Sequence, residues 1–352
     1  MNSGVQESNI TLENKKFERK NLIDKIVKSI FLFIAILCAS FVIFIVVFIC
    51  VKGIQPFITN YSVNPGEVVK QDFGLFFTND RWLYDGTGGM FFLLLTTLYT
   101  TLLSLIISVP TSVFTALFIV RMVPKKLKST IKTCVELLAS IPSVIFGIFG
   151  MGVICVLVRD LPIQTAGGSS ILSASIVLAL MSIPTITMVS TNAIEAVDPK
   201  LINASVALGA SNAQTNIKIV LSCAKSGIFA GIILGVGRAL GEATAVQMVI
   251  GNNALGTEFY NPFNSGMTLT SAMLSGIGEA TGIRYDVRFS LAIVLILVIL
   301  AITSILNFIK MKMDTLKTKN SNGVFIKMKK FFGDEFQMLR AYYNEKFRKN
   351  NK

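Results

Sequence analysis

The chain has 352 residues, of which 52% are hydrophobic and 15% are charged. Soluble globular domains carry about 25% charged residues, so this composition argues against a soluble enzyme. Lysine and arginine outnumber the acidic residues by 33 to 20, and histidine is absent. The lack of histidine rules out histidine-based metal sites and general bases, and five cysteines without a C-x-x-C pair give little support for a disulfide framework or a zinc site. We expect neither a metal nor a cofactor.

Long uncharged stretches determine the plan of the chain. Six segments are apolar enough to cross a bilayer, for which a helix needs about 20 residues. They cover residues 29–51, 90–120, 137–158, 171–194, 226–250 and 289–309. The alternation of a membrane barrel strand over about 10 residues is not present, so the sequence predicts an all-α membrane protein with six transmembrane helices. Pro110, Pro142 and Pro184 are predicted to kink or break their helices.

Basic residues are distributed unevenly among the loops. With the N-terminus in the cytoplasm, the inner segments hold 26 lysines and arginines and the outer segments hold 6. This positive-inside asymmetry explains the basic surplus by topology and anionic membrane lipid, without a nucleic-acid partner. We expect a cytoplasmic segment at 1–28, a transmembrane domain at 29–310 and a basic cytoplasmic tail at 311–352. The first span lacks an A-x-A site and is expected to be a retained anchor. The tail is either an interfacial amphipathic helix or a disordered basic segment.

The loop between the fourth and fifth spans predicts two consecutive helices. Asp198 is a good N-cap residue, Pro199 suits the first helical position, and Gly209 suits the position after a helix that ends at Leu208. This first helix is too short to be stable alone. The capping box Ser211–Gln214 begins a second helix that can continue into the fifth span. The short helix either docks into the groove of a partner or rests on the chain's own helices.

Two charged residues, Arg238 and Glu242, interrupt the fifth span. A charge at the centre of a bilayer costs about 2.5–3.5 kcal/mol, so it normally has a partner or a water-filled path. Residues four apart share a helix face. The two residues therefore form a buried ion pair that locks helix packing, or Arg238 contacts a passing anion while Glu242 orients it and keeps binding weak enough for release.

Three further patterns have local explanations. Thr97 and Thr101 on the second span either line a polar path or bond back to carbonyls of their own helix. Lys132 and Glu136 are expected to form an i,i+4 ion pair. Glycines recur every four residues in the fifth span and predict close helix packing. These glycines are Gly227, Gly231 and Gly235, with Gly237 and Gly241 repeating the spacing.

The loop before the fifth span resembles the coupling helix of ABC importer permeases, with the pattern E-A-A, three residues, G, nine residues and I-x-L-P. Aligned on Gly209, the matching positions hold Asn203, Ala204, Ser205, Ile219 and Leu221. The chain departs from the pattern at the acidic residue, at the second alanine and at the proline. The resemblance implies that these residues contact a separate ATPase, and the chain itself has no Walker A loop.

Further segments resemble the PstC family of phosphate-importer permeases over roughly residues 20–310. They include D-R-W-L-Y-D-G at 80–86, E-L-L-A-S-I-P-S-V at 136–144 and G-R-A-L-G-E-A-T-A-V at 237–246. The resemblance implies a type I ABC importer permease fold in the bacterial plasma membrane, no enzymatic activity, and a translocation role for Arg238 and Glu242. It also implies alternating access between the two sides of the membrane.

The same resemblance implies three partners: a second, PstA-like permease, a PstB-like ATPase dimer and a PstS-like extracellular phosphate-binding protein. Three alternatives stay open from the sequence. The chain could carry another oxyanion such as sulfate, molybdate or phosphonate, it could be a secondary transporter or channel that needs no ATPase, or it could be a structural membrane anchor.

Overall fold

The computed structural model describes the backbone of residues 3–64, 67–79, 81–82, 88–162, 167–255 and 260–313. Side chains are described within these ranges from residue 24 onward, except at 63–68. The predicted tail lies outside the described residues from position 314. The chain divides into two compact units. The first comprises Met1–Gln71 and Thr281–Ile293, and the second comprises Asp72–Ala280 and the chain from Val294 onward.

The described residues form thirteen α-helices, two π-helical turns and one two-stranded sheet. The helices are α1 Ser3–Ile58, α2 Phe73–Thr78, α3 Phe91–Arg121, α4 Lys125–Ser140, α5 Ser143–Phe149, α6 Cys155–Arg159, α7 Ile171–Glu195, α8 Pro199–Ala207, α9 Asn212–Gln214, α10 Leu221–Gly241, α11 Thr244–Val249, α12 Leu269–Leu274 and α13 Ile283–Met313. The π-helical turns Gly150–Ile154 and Thr215–Val220 join α5 to α6 and α9 to α10. The strands β1 Tyr61–Asn64 and β2 Glu67–Val69 pair antiparallel.

The predicted all-α membrane architecture is confirmed. Within the described residues, five helices are long and apolar enough to cross a membrane: Asp24–Ile58, α3, α7, Asn212–Gly241 and α13. A sixth span is present if α4 and the following Ser143–Arg159 segment count as one bent span. The chain is thus a multi-pass membrane protein, and α1 continues as one helix through the predicted boundary at residue 28.

The predicted span over 137–158 is broken at Pro142, as expected for one of the three prolines that were predicted to kink or break their helices. The helix α4 ends before Ile141, which is extended, and Ser143–Arg159 leaves at 88° to it. Pro142 causes this break because proline cannot donate a hydrogen bond to the preceding turn and because it disfavours the helical conformation at Ile141. As a result, α4 is a separate amphipathic helix that meets the following segment at a sharp bend.

The fifth span also departs from its predicted course over 226–250. Its helix begins earlier, at α9, and ends at Gly241, where Glu242 adopts an extended conformation with φ −74° and ψ 125°. The helices containing Pro110 and Pro184 run through those residues without a break. Among the three prolines that were expected to disturb their helices, only Pro142 ends one.

In the second unit, α7 is the central helix and packs against both α3 and α10. Of the most apolar part of α7, 67% is buried, against 33% for α3. The glycine stripe explains the contact with α10, because a side chain at Gly227, Gly231 or Gly235 would meet α7 at once. Its neighbours there are Ala193, Val189 and Ile186. Gly237 and Gly241 face open space instead, so the packing prediction is confirmed only for the first three glycines.

In the first unit, the end of α1 packs tightly against the beginning of α13. The Ser290 hydroxyl donates to the Gly53 carbonyl at 2.6 Å. Asp286 is 7% exposed and accepts a hydrogen bond from the Tyr61 hydroxyl at 2.7 Å. Lys52 Nζ lies 3.5 Å from the same carboxylate. The Asp286 charge is therefore matched by a cation and a hydroxyl, as a buried charge requires.

Candidate functional site

The centre of the candidate site is the helix break between α10 and α11. Arg238 lies in the last turn of α10, and Glu242 follows the end of that helix. The expectation that both residues share one continuous helix face is therefore wrong. Each charge instead lies at a helix end that favours it, because helix C-termini carry partial negative charge and N-termini partial positive charge.

Glu242 is held by its own neighbours. Its Oε1 accepts hydrogen bonds from the Thr244 hydroxyl at 3.0 Å and from the Ala245 backbone N–H at 3.3 Å. These bonds cap the first turn of α11, whose N–H groups have no partners within the helix. The Glu242 carbonyl accepts a bond from the Thr270 hydroxyl at 2.9 Å. The extended conformation that ends α10 is thus stabilised by two local hydrogen bonds to the side chain and by one bond to the carbonyl from Thr270, 28 positions away.

Arg238 has a different kind of partner. Its Nη1 donates to the Thr185 hydroxyl of α7 at 2.9 Å, and both side chains are half-buried. Across the described residues, the ion pairs do not include one with Arg238. The locking Arg238–Glu242 ion pair, one of the two alternatives, is therefore absent from this part of the chain. A guanidinium has five N–H donors, so a cation bound to one neutral hydroxyl keeps donors and charge for an anion.

The sequence did not point to Thr185, Ser143 or Thr244. Ser143 begins α5, and its hydroxyl lies 2.8 Å from the Thr244 hydroxyl, which joins the segment after Pro142 to the helix break. These residues are separated by 101 positions in the chain. Serine and threonine are common in membrane helices for local bonding, so their type gave no signal of this long-range contact.

Thr97 and Thr101 are buried in α3. Their hydroxyls donate to the carbonyls of Leu93 and Thr97 at 2.6 and 2.7 Å. Thr97 also accepts a bond from the Leu269 N–H at 2.9 Å, which positions the start of α12. The alternative of bonding back to their own helix is confirmed for both threonines. A role for either hydroxyl in a polar path stays a prediction.

The predicted pair of helices in the loop after α7 is confirmed. Asp198 caps α8 by accepting a bond from the Lys200 N–H at 2.9 Å, and Gly209 has φ +85°, which favours glycine. The capping box of Ser211 and Gln214 is present. The helix ends at Ala207, one residue earlier than predicted.

The residues aligned with the coupling pattern are unequal in exposure. Asn203 and Ala204 are exposed on α8, whereas the Ser205 hydroxyl bonds to the Thr215 hydroxyl at 3.0 Å. Ile219 is half-buried, and Leu221 packs against the core cluster that contains Ala224 and Ile228. Asn203 and Ala204 are thus accessible to a partner. Ser205 and Leu221 instead hold the loop against the rest of the chain.

The predicted Lys132–Glu136 ion pair is wrong. Lys132 Nζ instead contacts Glu195 Oε2 at 2.6 Å, and Lys128 Nζ contacts Glu195 Oε1 at 2.7 Å. Glu195 is the last residue of α7, so these pairs join α4 to α7. A tertiary partner replaced the local one because α4 lies along α7 with both lysines on the facing side.

Comparison with known proteins agrees with this architecture. Residues 108–313 match the family described as "Binding-protein-dependent transport system inner membrane component". This match covers more than half of the chain, which therefore belongs to that family. It is a family of membrane components of transport systems, not of enzymes.

Two relatives illustrate the similarity. The "Probable ABC transporter permease protein YqgH" of Bacillus subtilis is 35% identical over 171 residues, covering 48% of this chain and 54% of the relative. The "Phosphate transport system permease protein PstC" of Pasteurella multocida is 31% identical over 209 residues, covering 53% of this chain and 64% of the relative. The chain thus spans less than two thirds of the length of each.

A solved structure of a bacterial alginate ABC transporter, in complex with a periplasmic protein that holds an alginate pentasaccharide, has a chain of similar fold. The TM-score is 0.56 at 17% identity, with 81% of this chain and 95% of that chain covered. At this identity the likeness shows the fold alone. The predicted fold of an ABC importer permease is therefore confirmed.

Proposed function

We propose that this chain is a permease subunit of an ATP-driven importer of inorganic phosphate. The observation that carries the proposal is the half-buried Arg238, which is bonded to the neutral Thr185 hydroxyl beside a broken membrane helix. The similarity to relatives named as phosphate transport permeases supports phosphate as the cargo. The chain would form half of the path, with a second, PstA-like permease forming the other half.

Arg238 binds the passing phosphate through its planar N–H donors, which match the geometry of phosphate oxygens. Glu242 limits how tightly the anion is held, because its carboxylate adds negative charge near the same helix break. Conduction requires this balance, since an ion that binds too strongly does not leave. The capping bonds from Thr244 and Ala245 keep the Glu242 carboxylate in place.

ATP hydrolysis occurs in a separate PstB-like ATPase dimer, which docks on α8. This short helix exposes the large apolar side chains of Leu201 and Val206, and Leu208, the residue that follows its end, has 89% of its surface exposed. Such side chains on an isolated surface helix suit a groove in a partner protein. The hydrogen bond between Ser205 and Thr215 connects α8 to the π-helical turn before α10. A displacement of α8 is therefore transmitted to α10, the helix that carries Arg238.

The orientation places both termini in the cytoplasm of a bacterial cell and the outer loops toward a PstS-like phosphate-binding protein. Glu195 at the end of α7 pairs with two lysines of α4, and Asp198, three residues later, caps α8. The end of α7, α4 and the start of α8 therefore lie at one side of the second unit. These basic residues belong on the cytoplasmic side by the positive-inside rule. The predicted division into segments 1–28, 29–310 and 311–352 belongs to the same proposal.

The test is uptake of radioactive phosphate by the complete complex in proteoliposomes that contain ATP. We expect Arg238→Gln to abolish uptake while the complex still assembles, and Arg238→Lys to keep a fraction of it because the charge remains. Arg159→Gln is the matched control, since Arg159 is exposed and its ion pair among the described residues is with the neighbouring Asp160. Normal uptake by Arg238→Gln would contradict the assignment of the anion site.

The same assay separates the alternatives. Competition by sulfate, molybdate or a phosphonate that is stronger than competition by phosphate would identify another oxyanion as the cargo. Uptake that continues without ATP or without the ATPase subunit would identify a secondary transporter or channel.

A further inference from the structure

The ion cluster of Glu195, Lys128 and Lys132, called here the clasp, has no role in the function proposed so far. Both carboxylate oxygens of Glu195 are used, one by each lysine, at 2.7 and 2.6 Å. Glu195 is also the last residue of α7. An acidic residue at a helix C-terminus is repelled by the partial negative charge there, so the two lysines offset an unfavourable placement.

The clasp joins α7 to a helix that lies at the surface of the second unit. None of the residues of α4 is buried. A cavity of about 50 Å³ lies between α3, α4 and α7 and is lined by residues that include Lys132, Glu136 and Thr187. Thr191 also lines this cavity, is 3% exposed, and has a hydroxyl without a hydrogen-bond partner in the described chain. The cavity separates part of α4 from α3 and α7, and the two ion pairs join α4 to the end of α7 beside it.

The clasp also lies between α8, the proposed docking site of the ATPase, and the helix break at Glu242. On one side, Glu195 is three residues before Asp198, which caps α8. On the other side, α4 leads through the break at Pro142 to Ser143, whose hydroxyl contacts that of Thr244. Thr244 in turn donates to Glu242.

We infer that α4 is a lever that transmits the movement of α8 to Glu242, and that Glu195 is the positioning residue that engages this lever. The inference rests on the proposed function, because it assigns a role within the same transport cycle. When the ATPase moves α8, the end of α7 pulls α4 through the clasp. The rotation of α4 about Pro142 shifts Ser143 and Thr244, and so changes where the Glu242 carboxylate lies relative to an anion on Arg238.

The measurement is the number of ATP molecules hydrolysed per phosphate imported, made on the complete complex in proteoliposomes. We expect Glu195→Gln to reduce phosphate uptake roughly tenfold while ATP hydrolysis stays within about twofold of the wild type. Lys126→Gln is the matched control, because Lys126 is an exposed lysine of the same helix and takes no part in the clasp. It should leave the ratio unchanged.

Charge reversal tests whether the ion pair itself matters. Glu195→Lys should uncouple transport, and combining it with Lys128→Glu and Lys132→Glu should restore most of the coupling. Ser143→Ala removes the hydrogen bond to Thr244 at the other end of α4. We expect it to raise the number of ATP molecules hydrolysed per phosphate imported, as Glu195→Gln does, while the clasp stays intact. Thermal stability of each complex separates uncoupling from loss of assembly.

Two outcomes would overturn the inference: an unchanged ratio in Glu195→Gln, or no recovery in the reversed-charge variant together with normal coupling in Ser143→Ala. Should the complex with Glu195→Gln fail to assemble, the ratio of ATP hydrolysed to phosphate imported in Lys132→Gln and Ser143→Ala tests the inference in its place. A wild-type complex that imports no phosphate would contradict the proposed function itself, which is a different result from phosphate import that does not depend on the clasp.

Discussion

The two units each contain a charged residue within an apolar helix, and the two residues differ in the kind of partner that surrounds the charge. In the first unit, Asp286 is surrounded by a cation, Lys52, and a hydroxyl, Tyr61. In the second unit, Arg238 bonds to one neutral hydroxyl, that of Thr185. The Asp286 charge is balanced by a nearby cation, whereas the Arg238 side chain is hydrogen-bonded to a neutral group.

The packing around Asp286 and Arg238 differs as well. Beside Lys52, a side chain at Gly53 would lie 2.7 Å from the Phe289 carbonyl oxygen, so the helices there are in direct contact. Beside Arg238, a side chain at Gly237 would have nothing within 4 Å. Asp286 is thus neutralised within a tight helix contact, whereas Arg238 lies beside open space and has no ion pair among the residues that the structure describes.

The largest expected effect comes from removing the balanced charge. Asp286→Ala leaves Lys52 without this counter-ion and Tyr61 without its acceptor. Breaking a buried pair costs about 3–5 kcal/mol, and we expect about 3 kcal/mol here because the Lys52 side chain is 33% exposed. We expect a marked fall in the thermal stability of the purified protein. Arg238→Gln should change stability little, because the arginine has no ion pair to lose among the described residues.

Asp160→Asn is the control for Asp286→Ala, since Asp160 pairs with Arg159 on an exposed surface where such pairs contribute about 0–1 kcal/mol. Equal stability losses in Asp286→Ala and Arg238→Gln would remove the distinction between a structural and a functional charge.

A smaller effect is expected from the two glycines. Gly53→Ala places a methyl group against the backbone of α13, and overpacking of this kind costs about 1–3 kcal/mol. Gly237→Ala meets no neighbour, and alanine is more favourable than glycine within a helix by about 0.5–1 kcal/mol. The melting temperatures of the two variants should therefore move in opposite directions. A shift of equal sign and size would show that the two helix surfaces do not differ in packing.

The smallest effect concerns pH. Burial, together with the bond to Asp286, raises the pKa of Tyr61 well above its usual value. The folded state therefore favours the protonated phenol, and the stability that this contributes is complete below about pH 10 and is lost as pH rises further. We expect the melting temperature of Tyr61→Phe to fall less steeply than that of the wild type between about pH 9 and about pH 11. Parallel curves would show that Tyr61 does not contribute to the pH dependence.

Much of the fold could be predicted because its determinants are local. The loop from Asp198 to Gln214 was predicted within one residue, since its caps bond to residues two or three positions away. The membrane helices follow from the length of their apolar stretches. The course of the chain at Glu242 was not predictable in this way, because the apolar character of residues 226–250 continues across a break that hydrogen bonds at Glu242 stabilise.

The candidate site shows the same division between sequence and structure. The sequence alone determined that Arg238 and Glu242 are charges within a membrane segment, because charge and hydropathy are properties of each residue. Only the tertiary structure decided the partner of Arg238, since Thr185 is 53 positions away in the chain. The same holds for Lys132, whose partner Glu195 is 63 positions away. Residue type fixes what a side chain can bind, but packing of distant helices fixes what lies within reach of it.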